Sequence, residues 1–85
     1  MPTISAFYGI LIQMFWQDHA PRHFHLYAEY EAVVDIRTLE RIDGGLPRRA
    51  MALMLEWAQE HRADLMEDWD LCNRNHSPKT IQPLP

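Results

Sequence analysis

The sequence has little of the chemistry that crosslinks or anchors a small protein. Cys72 is the only cysteine among 85 residues, so no internal disulfide can form and packing alone must hold the fold. This cysteine usage fits a reducing compartment. The residues after Met1 lack a basic stretch, and the apolar run Ile10 to Ile12 is broken by Gln13. We therefore expect a cytoplasmic protein without a membrane segment.

Basic charge is also scarce. Eight lysines and arginines face twelve acidic residues, which gives a net charge of −4. Domains that coat nucleic acid by charge alone are usually basic, so nucleic acid is not indicated as a partner. Hydrophobic residues make up 47% of the chain, which is ample for a core. The length predicts a single domain over residues 1–85.

The first half of the chain has the pattern of strands. Residues Ile4 to Trp16 are apolar on both faces, which predicts one strand that is central or covered on both sides, with a bend or bulge at Gly9. His23 to Tyr30 alternates cleanly, and Ala32 to Ile36 is rich in β-branched residues. With a short fourth strand at Arg41 to Asp43, the sequence predicts an antiparallel meander of three or four strands over about residues 4–43.

The second half changes to a helical period, from about residue 47 to residue 75. Apolar side chains recur along one stripe, in which Trp57 is expected to seal the helix onto the sheet and Cys72 to be a small buried residue. A straight helix of this length would span roughly 40 Å, so we expect a bend or break between Glu60 and Asp64. An extended tail follows over residues 76–85. The predicted fold is α+β, with one long bent helix or two consecutive helices packed on one face of the sheet.

The main candidate site is the segment Asp18 to His25, which holds three of the five histidines. His23 and His25 occupy positions i and i+2 of a strand, so both rings should point the same way, roughly 6–7 Å apart. With Asp18 or His19 they can bind a divalent metal such as zinc. Asp18, His23 and His25 can equally act as acid–base catalysts without a metal. The alternative is a merely polar strand face with Asp18 capping the turn.

Further candidates are binding residues. His19 lies within the histidine segment, Arg22 stands at its rim, and Tyr27 shares the face of His23 and His25. Arg48 and Arg49 follow a glycine turn at the start of the helix, where free N–H groups and guanidinium groups can hold an anion. Arg22, Arg48 and Arg49 can also gather into one basic patch. An ordinary strand-to-helix connection with solvated arginines is the alternative.

The ordered motifs resemble a family of small bacterial proteins that is known only as a domain of unknown function, number four-one-six-zero in its series. They are Met1-Pro2-Thr3-Ile4-Ser5-x-Phe7-Tyr8-Gly9-Ile10, Asp18-His19-x-Pro21-x-His23-Phe24-His25, Ala32-Val33-Val34-Asp35-Ile36, Gly44-x-Leu46-Pro47-x-Arg49-Ala50 and Glu56-Trp57-Ala58. The resemblance implies a short bacterial protein that is often encoded beside another small domain, as in toxin–antitoxin pairs. It implies no catalytic mechanism. Many relatives have a second proline where this chain has Arg22. The arginine places a positive charge next to the histidines, which slightly weakens the case for a metal and slightly favours an anion.

Two functions therefore remain open at this point. The first is an interaction module, toxin–antitoxin-like, whose partner is a small protein encoded by a neighbouring gene. The second is a small metal- or histidine-dependent hydrolase, such as a nuclease, with its site at Asp18 to His25. The sequence leaves open whether the protein is an enzyme.

Overall fold

The computed structural model describes residues 3–85, so Met1 and Pro2, which begin the first motif, lie outside it. The strands and helices follow in the order β1 Thr3–Phe7, β2 Ile10–Gln13, β3 His23–Tyr27, β4 Glu31–Asp35, β5 Arg41–Gly44, α1 Arg48–Glu60 and α2 Arg62–Asn73. The five strands form one antiparallel sheet in sequence order, and two helices follow. The α+β prediction is confirmed, but the predicted strand count of three or four is wrong.

The additional strand arises from a hairpin that the sequence pattern concealed. The predicted strand Ile4 to Trp16 is in fact β1 and β2, which pair antiparallel across a turn at Tyr8 and Gly9. Both turn residues have positive φ, 49° and 78°, as in the type I′ turns that join strands by two residues. Tyrosine is unusual in that conformation, so the residue types at this turn do not predict a hairpin. As a result β1 lies at the edge of the sheet and β2 lies inside it, so only the β2 half of the predicted strand has a central position.

One face of the sheet packs against the helices. Strand pairing places Ile12 opposite Leu26, and Leu26 opposite Ala32, and all three side chains are buried. Trp57 of α1 is fully buried, with its ring centroid 5.4 Å from that of Phe7. Period-2 alternation leaves the opposite face of each central strand outside this core. His23, His25 and Tyr27 occupy that opposite face, although His23, the first residue of β3, also lies beside Trp69 of α2 and is buried.

The helical region breaks at a single residue. Helix α1 ends at Glu60 and α2 begins at Arg62, with His61 between them at φ −116° and ψ 20°. The predicted break between Glu60 and Asp64 is confirmed, and the structure has two helices rather than one long bent helix. Neither α1 nor α2, the helices found in residues 3–85, combines the length and the apolar character that a membrane span requires.

The tail after α2 runs back over the molecule without regular secondary structure. The Ile81 N–H donates to the Ile4 carbonyl at 2.7 Å, and the Trp57 indole N–H donates to the Gln82 carbonyl at 2.8 Å. These bonds tie the tail to β1 and to α1. The tail therefore closes one border of the core.

Candidate metal centre

The sheet face away from the core carries a row of side chains across four strands. Strand pairing places Gln13 of β2 opposite His25 of β3, His25 opposite Val33 of β4, and Val33 opposite Asp43 of β5. His23 lies two residues before His25 on the same strand, and their ring centroids are 5.0 Å apart. The two imidazoles therefore lie on one side of the sheet.

The loop between β2 and β3 brings a carboxylate to these rings. Its backbone is tied to the end of α2, because the Gln17 N–H donates to the Cys72 carbonyl at 3.2 Å. The Trp16 indole N–H donates to the His76 carbonyl at 3.0 Å. These two bonds hold the residue that follows, Asp18, over the N-terminal end of β3.

Asp18 contacts both histidines through a single oxygen atom. Its Oδ2 lies 2.8 Å from Nε2 of His23 and 3.3 Å from Nε2 of His25. Its Oδ1 accepts the backbone N–H of His19 at 3.0 Å. One donor atom from each of Asp18, His23 and His25 lies within 4.8 Å of the other two. The structure thus brings together three of the four residues predicted as metal ligands.

The protonation of His23 is constrained by its other ring nitrogen. Nδ1 of His23 lies 2.6 Å from the carbonyl oxygen of Pro21. A carbonyl oxygen can only accept, so Nδ1 must carry a hydrogen and donate it. In neutral His23, Nε2 then presents a lone pair to the Asp18 carboxylate. Two acceptors at 2.8 Å repel each other unless a proton or a metal ion lies between them.

Aromatic side chains hold both rings in place. The Trp69 ring of α2 lies beside His23, with centroids 5.2 Å apart, and the His23 side chain is only 10% exposed. Phe15 contacts His25 edge-on at 4.3 Å, and the His25 side chain is 21% exposed. Because both rings are largely buried, their orientation is restricted while Nε2 of each faces Asp18.

The local environment favours the metal-binding forms of two ligands. Burial opposes ionisation of Asp18, but the hydrogen bond from His25 and the charge of His23 outweigh it, so the pKa of Asp18 lies below its ordinary value. Burial, helped by the charge of His23, lowers the pKa of His25 although Asp18 opposes this shift. Asp18 therefore stays ionised, and His25 stays neutral, to lower pH than usual.

The cluster opens into a cavity of about 290 Å³. Asp18, His23 and His25 line it together with Asp43 of β5. Asp43 was not among the residues predicted from the sequence, since only the pairing of β4 with β5 brings it opposite Val33. It adds a second carboxylate to the cavity wall, across Val33 from His25.

The remaining predicted residues lie around or away from this cluster. The His19 side chain is 95% exposed, although the residue lines the cavity. Tyr27 stacks parallel to His25 with centroids 6.5 Å apart; burial and Glu31 raise its pKa. Arg22 lies 3.9 Å from Asp70 of α2.

The predicted basic patch does not form as a unit. Arg48 and Arg49 are exposed on the first turn of α1, and Arg49 lines a cavity with Tyr8 of the β1–β2 turn. Arg22 precedes β3 at the opposite end of the sheet, because β3 runs antiparallel to β2 with Tyr27 opposite Leu11. The three arginines therefore do not gather into one patch.

The fold and the site define a small α+β protein with a two-histidine, one-carboxylate cluster on an open sheet face. A family model described as a domain of unknown function (DUF4160) matches residues 9–70, which is more than half of the chain. The chain belongs to the DUF4160 family, as the sequence motifs predicted. Comparison with curated proteins and with solved structures finds no match.

Proposed function

We propose that this protein binds a divalent metal ion, zinc by preference, through Asp18, His23 and His25, and uses it for hydrolysis. The observation that carries the proposal is the arrangement around His23. Its Nδ1–H is committed to the Pro21 carbonyl while its Nε2 faces the Asp18 carboxylate. Histidines that bind metals usually donate their other ring N–H to a carbonyl or carboxylate in this way.

The donor set suits zinc. Two imidazole nitrogens and one carboxylate oxygen are a ligand combination of catalytic zinc sites, which keep a fourth position open. In a tetrahedral site with bonds of about 2.1 Å, donor atoms lie about 3.4 Å apart. The Asp18 to His25 distance of 3.3 Å is close to this separation, and the Asp18 to His23 distance of 2.8 Å is shorter. Binding of a zinc ion therefore requires Asp18 Oδ2 and His23 Nε2 to move slightly apart, a change that the side chains can make while the backbone stays in place.

The cavity supplies room for a substrate at the open position. A zinc ion lowers the pKa of a bound water to about 7, which makes hydroxide available near neutral pH. Asp43 in the cavity wall and the exposed His19 are the neighbouring groups able to accept a proton. Together these features support hydrolysis over a purely structural ion pair.

Zinc titration by calorimetry, with elemental analysis of the purified protein, tests the metal site. We expect one zinc per chain in the unaltered protein, and at least a hundredfold weaker binding in Asp18→Asn and in His25→Ala. The matched controls are His19→Ala and His76→Ala, which remove exposed histidines and should keep zinc affinity within about threefold. If the unaltered chain takes up no zinc, a proton rather than a metal joins His23 to Asp18.

Activity needs its own measurement. The zinc-loaded protein is tested against chromogenic carboxylic and phosphoric esters, with the chelator-treated protein and His25→Ala as controls. We expect turnover that zinc restores after chelation and that His25→Ala lacks. A protein that binds zinc tightly but hydrolyses none of these esters would leave the metal site intact and remove the hydrolytic role.

We also propose a partner-binding role, as a toxin–antitoxin-like module with the product of a neighbouring gene. Three large apolar side chains at one end of the sheet favour it: Tyr8 and Tyr30 are each 61% exposed, and Leu11 is 43% exposed. Exposed aromatic residues are enriched at protein interfaces. Co-expression with the neighbouring gene product tests this role. We expect a complex that survives gel filtration and is lost in Tyr8→Ser/Tyr30→Ser, whereas Trp16→Ser, a distant exposed aromatic, retains it.

A further inference from the structure

A second cavity adjoins the proposed metal centre and contains two arginines. It measures about 190 Å³ and is lined by Ala20, Pro21, Arg22 and Arg37. Ala20 and Pro21 also line the 290 Å³ cavity that holds Asp18, His23 and His25. The two cavities therefore share one dipeptide as a common wall.

The two guanidinium groups are only loosely paired with protein carboxylates. Arg22 Nη2 lies 3.9 Å from Asp70, and Arg37 Nε lies 4.0 Å from Asp35; both separations exceed a hydrogen bond. The Asp35 Oδ1 atom instead accepts the backbone N–H of Arg37 at 2.7 Å. The side chains of Arg22 and Arg37 are 45% and 65% exposed, so both are free to turn toward a ligand.

We propose that these adjoining cavities bind a small phosphate ester, with the phosphate recognised by Arg22 and Arg37 beside the metal. The inference rests on the proposed metal site and names its substrate class. Arginine matches phosphate geometry through paired N–H donors. A phosphate has several terminal oxygens and up to two negative charges, enough to engage a metal ion and two guanidinium groups together. A single carboxylate has only two oxygens to share among three partners.

The charges around the site favour a small ligand over a polymer. The chain carries a net charge of −4; Asp43 lines the larger cavity, and Asp70 and Asp35 lie 3.9 and 4.0 Å from the two arginines. A long polyanion would bring several further phosphates near these carboxylates, whereas a small ester brings only one phosphate group, which lies next to the arginines and the metal. A phosphomonoester fits this local distribution of charge.

The reaction implied is ordinary ester hydrolysis. A water oxygen forms a bond to phosphorus, and the bond between phosphorus and the ester oxygen breaks. One proton of the water ends on the departing alcohol oxygen, and the other is released or retained by the inorganic phosphate according to pH. No oxidant or further reactant is required.

Calorimetric titration of inorganic phosphate into the zinc-loaded protein tests the inference. We expect Arg22→Gln/Arg37→Gln to weaken phosphate binding at least tenfold while leaving zinc affinity unchanged. The matched control, Arg62→Gln, removes an exposed arginine at the start of α2 and should leave both affinities unchanged. Equal phosphate affinity in the unaltered protein and in Arg22→Gln/Arg37→Gln would overturn the arginine site, with the metal site still standing.

Two further arms separate the possible failures. If zinc does not bind, the metal proposal fails, and phosphate binding to the metal-free protein that depends on Arg22 and Arg37 would still support the arginine site. Loss of that binding as well would overturn both. Tighter binding of a single-stranded oligonucleotide than of a nucleoside monophosphate, with the same dependence on the arginines, would overturn the assignment to small phosphate esters.

Discussion

The indole ring of Trp69 lies against the imidazole of His23, with ring centroids 5.2 Å apart. Trp69 is 5% exposed and belongs to α2, whereas His23 opens β3. The same helix end holds the loop of Asp18, since the Cys72 carbonyl accepts the Gln17 N–H. Helix α2 therefore supports two of the three proposed ligands, so its packing should affect the affinity of the site.

Replacement of Trp69 by leucine tests this support. We expect a loss of about 2–3 kcal/mol in the free energy of unfolding from the cavity that is created, and about tenfold weaker zinc binding because His23 is less restrained. Trp57→Leu is the control: it creates a similar cavity around a fully buried ring in contact with Phe7. It should lower stability comparably without weakening zinc binding. Equal effects of both replacements on zinc affinity would argue against a specific role for Trp69.

Asp68 should make the protein less stable as the pH rises through the acidic range. Burial raises its pKa to about 6, assisted by Glu67 and Asp64 and opposed by the backbone N–H of Lys79. Its Oδ2 atom has no hydrogen-bond partner within residues 3–85. The folded state thus holds the proton more tightly than the unfolded chain, so the stabilising contribution is complete below about pH 4 and is lost as the pH rises to about 6. Two pKa units correspond to about 3 kcal/mol.

Replacement of Asp68 by asparagine should remove this loss of stability at higher pH, because an asparagine side chain does not ionise. We expect the variant to be more stable than the unaltered protein at pH 7.5, by about 1–3 kcal/mol, with the advantage vanishing near pH 4. Urea unfolding at both pH values measures the difference. Glu56→Gln, which replaces an exposed carboxylate of α1, is the control and should lack this gain in stability at pH 7.5. If the stability difference between Asp68→Asn and the unaltered protein is the same at both pH values, Asp68 is not the titrating group.

Gly44 and Gly9 form a matched pair for backbone strain. Both have positive φ, 65° and 78°, but a Cβ at Gly44 would lie 2.2 Å from the carbonyl oxygen of Glu31, whereas a Cβ at Gly9 has nothing within 4 Å. We expect Gly44→Ala to cost about 3 kcal/mol or more of stability, and Gly9→Ala about 1 kcal/mol. Thermal or urea unfolding measures both. Similar costs at the two positions would show that β5 moves away from β4 easily.

Arg41 should limit the association of protein molecules with one another through the edge strand β5. Its guanidinium donates to the Gly44 carbonyl at 2.6 Å, and the Gly44 N–H donates to Asp43 at 2.9 Å. These bonds occupy main-chain groups that an edge strand otherwise offers to another chain. We expect Arg41→Ala to associate more strongly with rising concentration in light scattering, and the exposed control Arg48→Ala to behave like the unaltered protein. No difference between the two variants would contradict this role.

The alternation in His23 to Tyr27 was enough to predict that His23 and His25 share a face, because successive side chains of any strand point to opposite sides. The helical period likewise predicted the helical region, and its length predicted the bend or break that the structure has at His61. These features depend on residues that are close in the chain. The hairpin at Tyr8 and Gly9 was missed because its turn residues do not have the usual composition.

The sequence by itself therefore determined the α+β class, the placement of the strands before the helices and the shared side of the two histidines. Tertiary structure decided the rest of the site. The hydrogen bond between the β2–β3 loop and α2 positions Asp18, whose Oδ2 contacts both rings. The pairing of β4 with β5 brings Asp43 to the same cavity. Trp69 covers His23 only because α2 packs against the sheet. Local periodicity encodes the direction of a side chain, whereas such contacts depend on strand register and helix packing between distant residues.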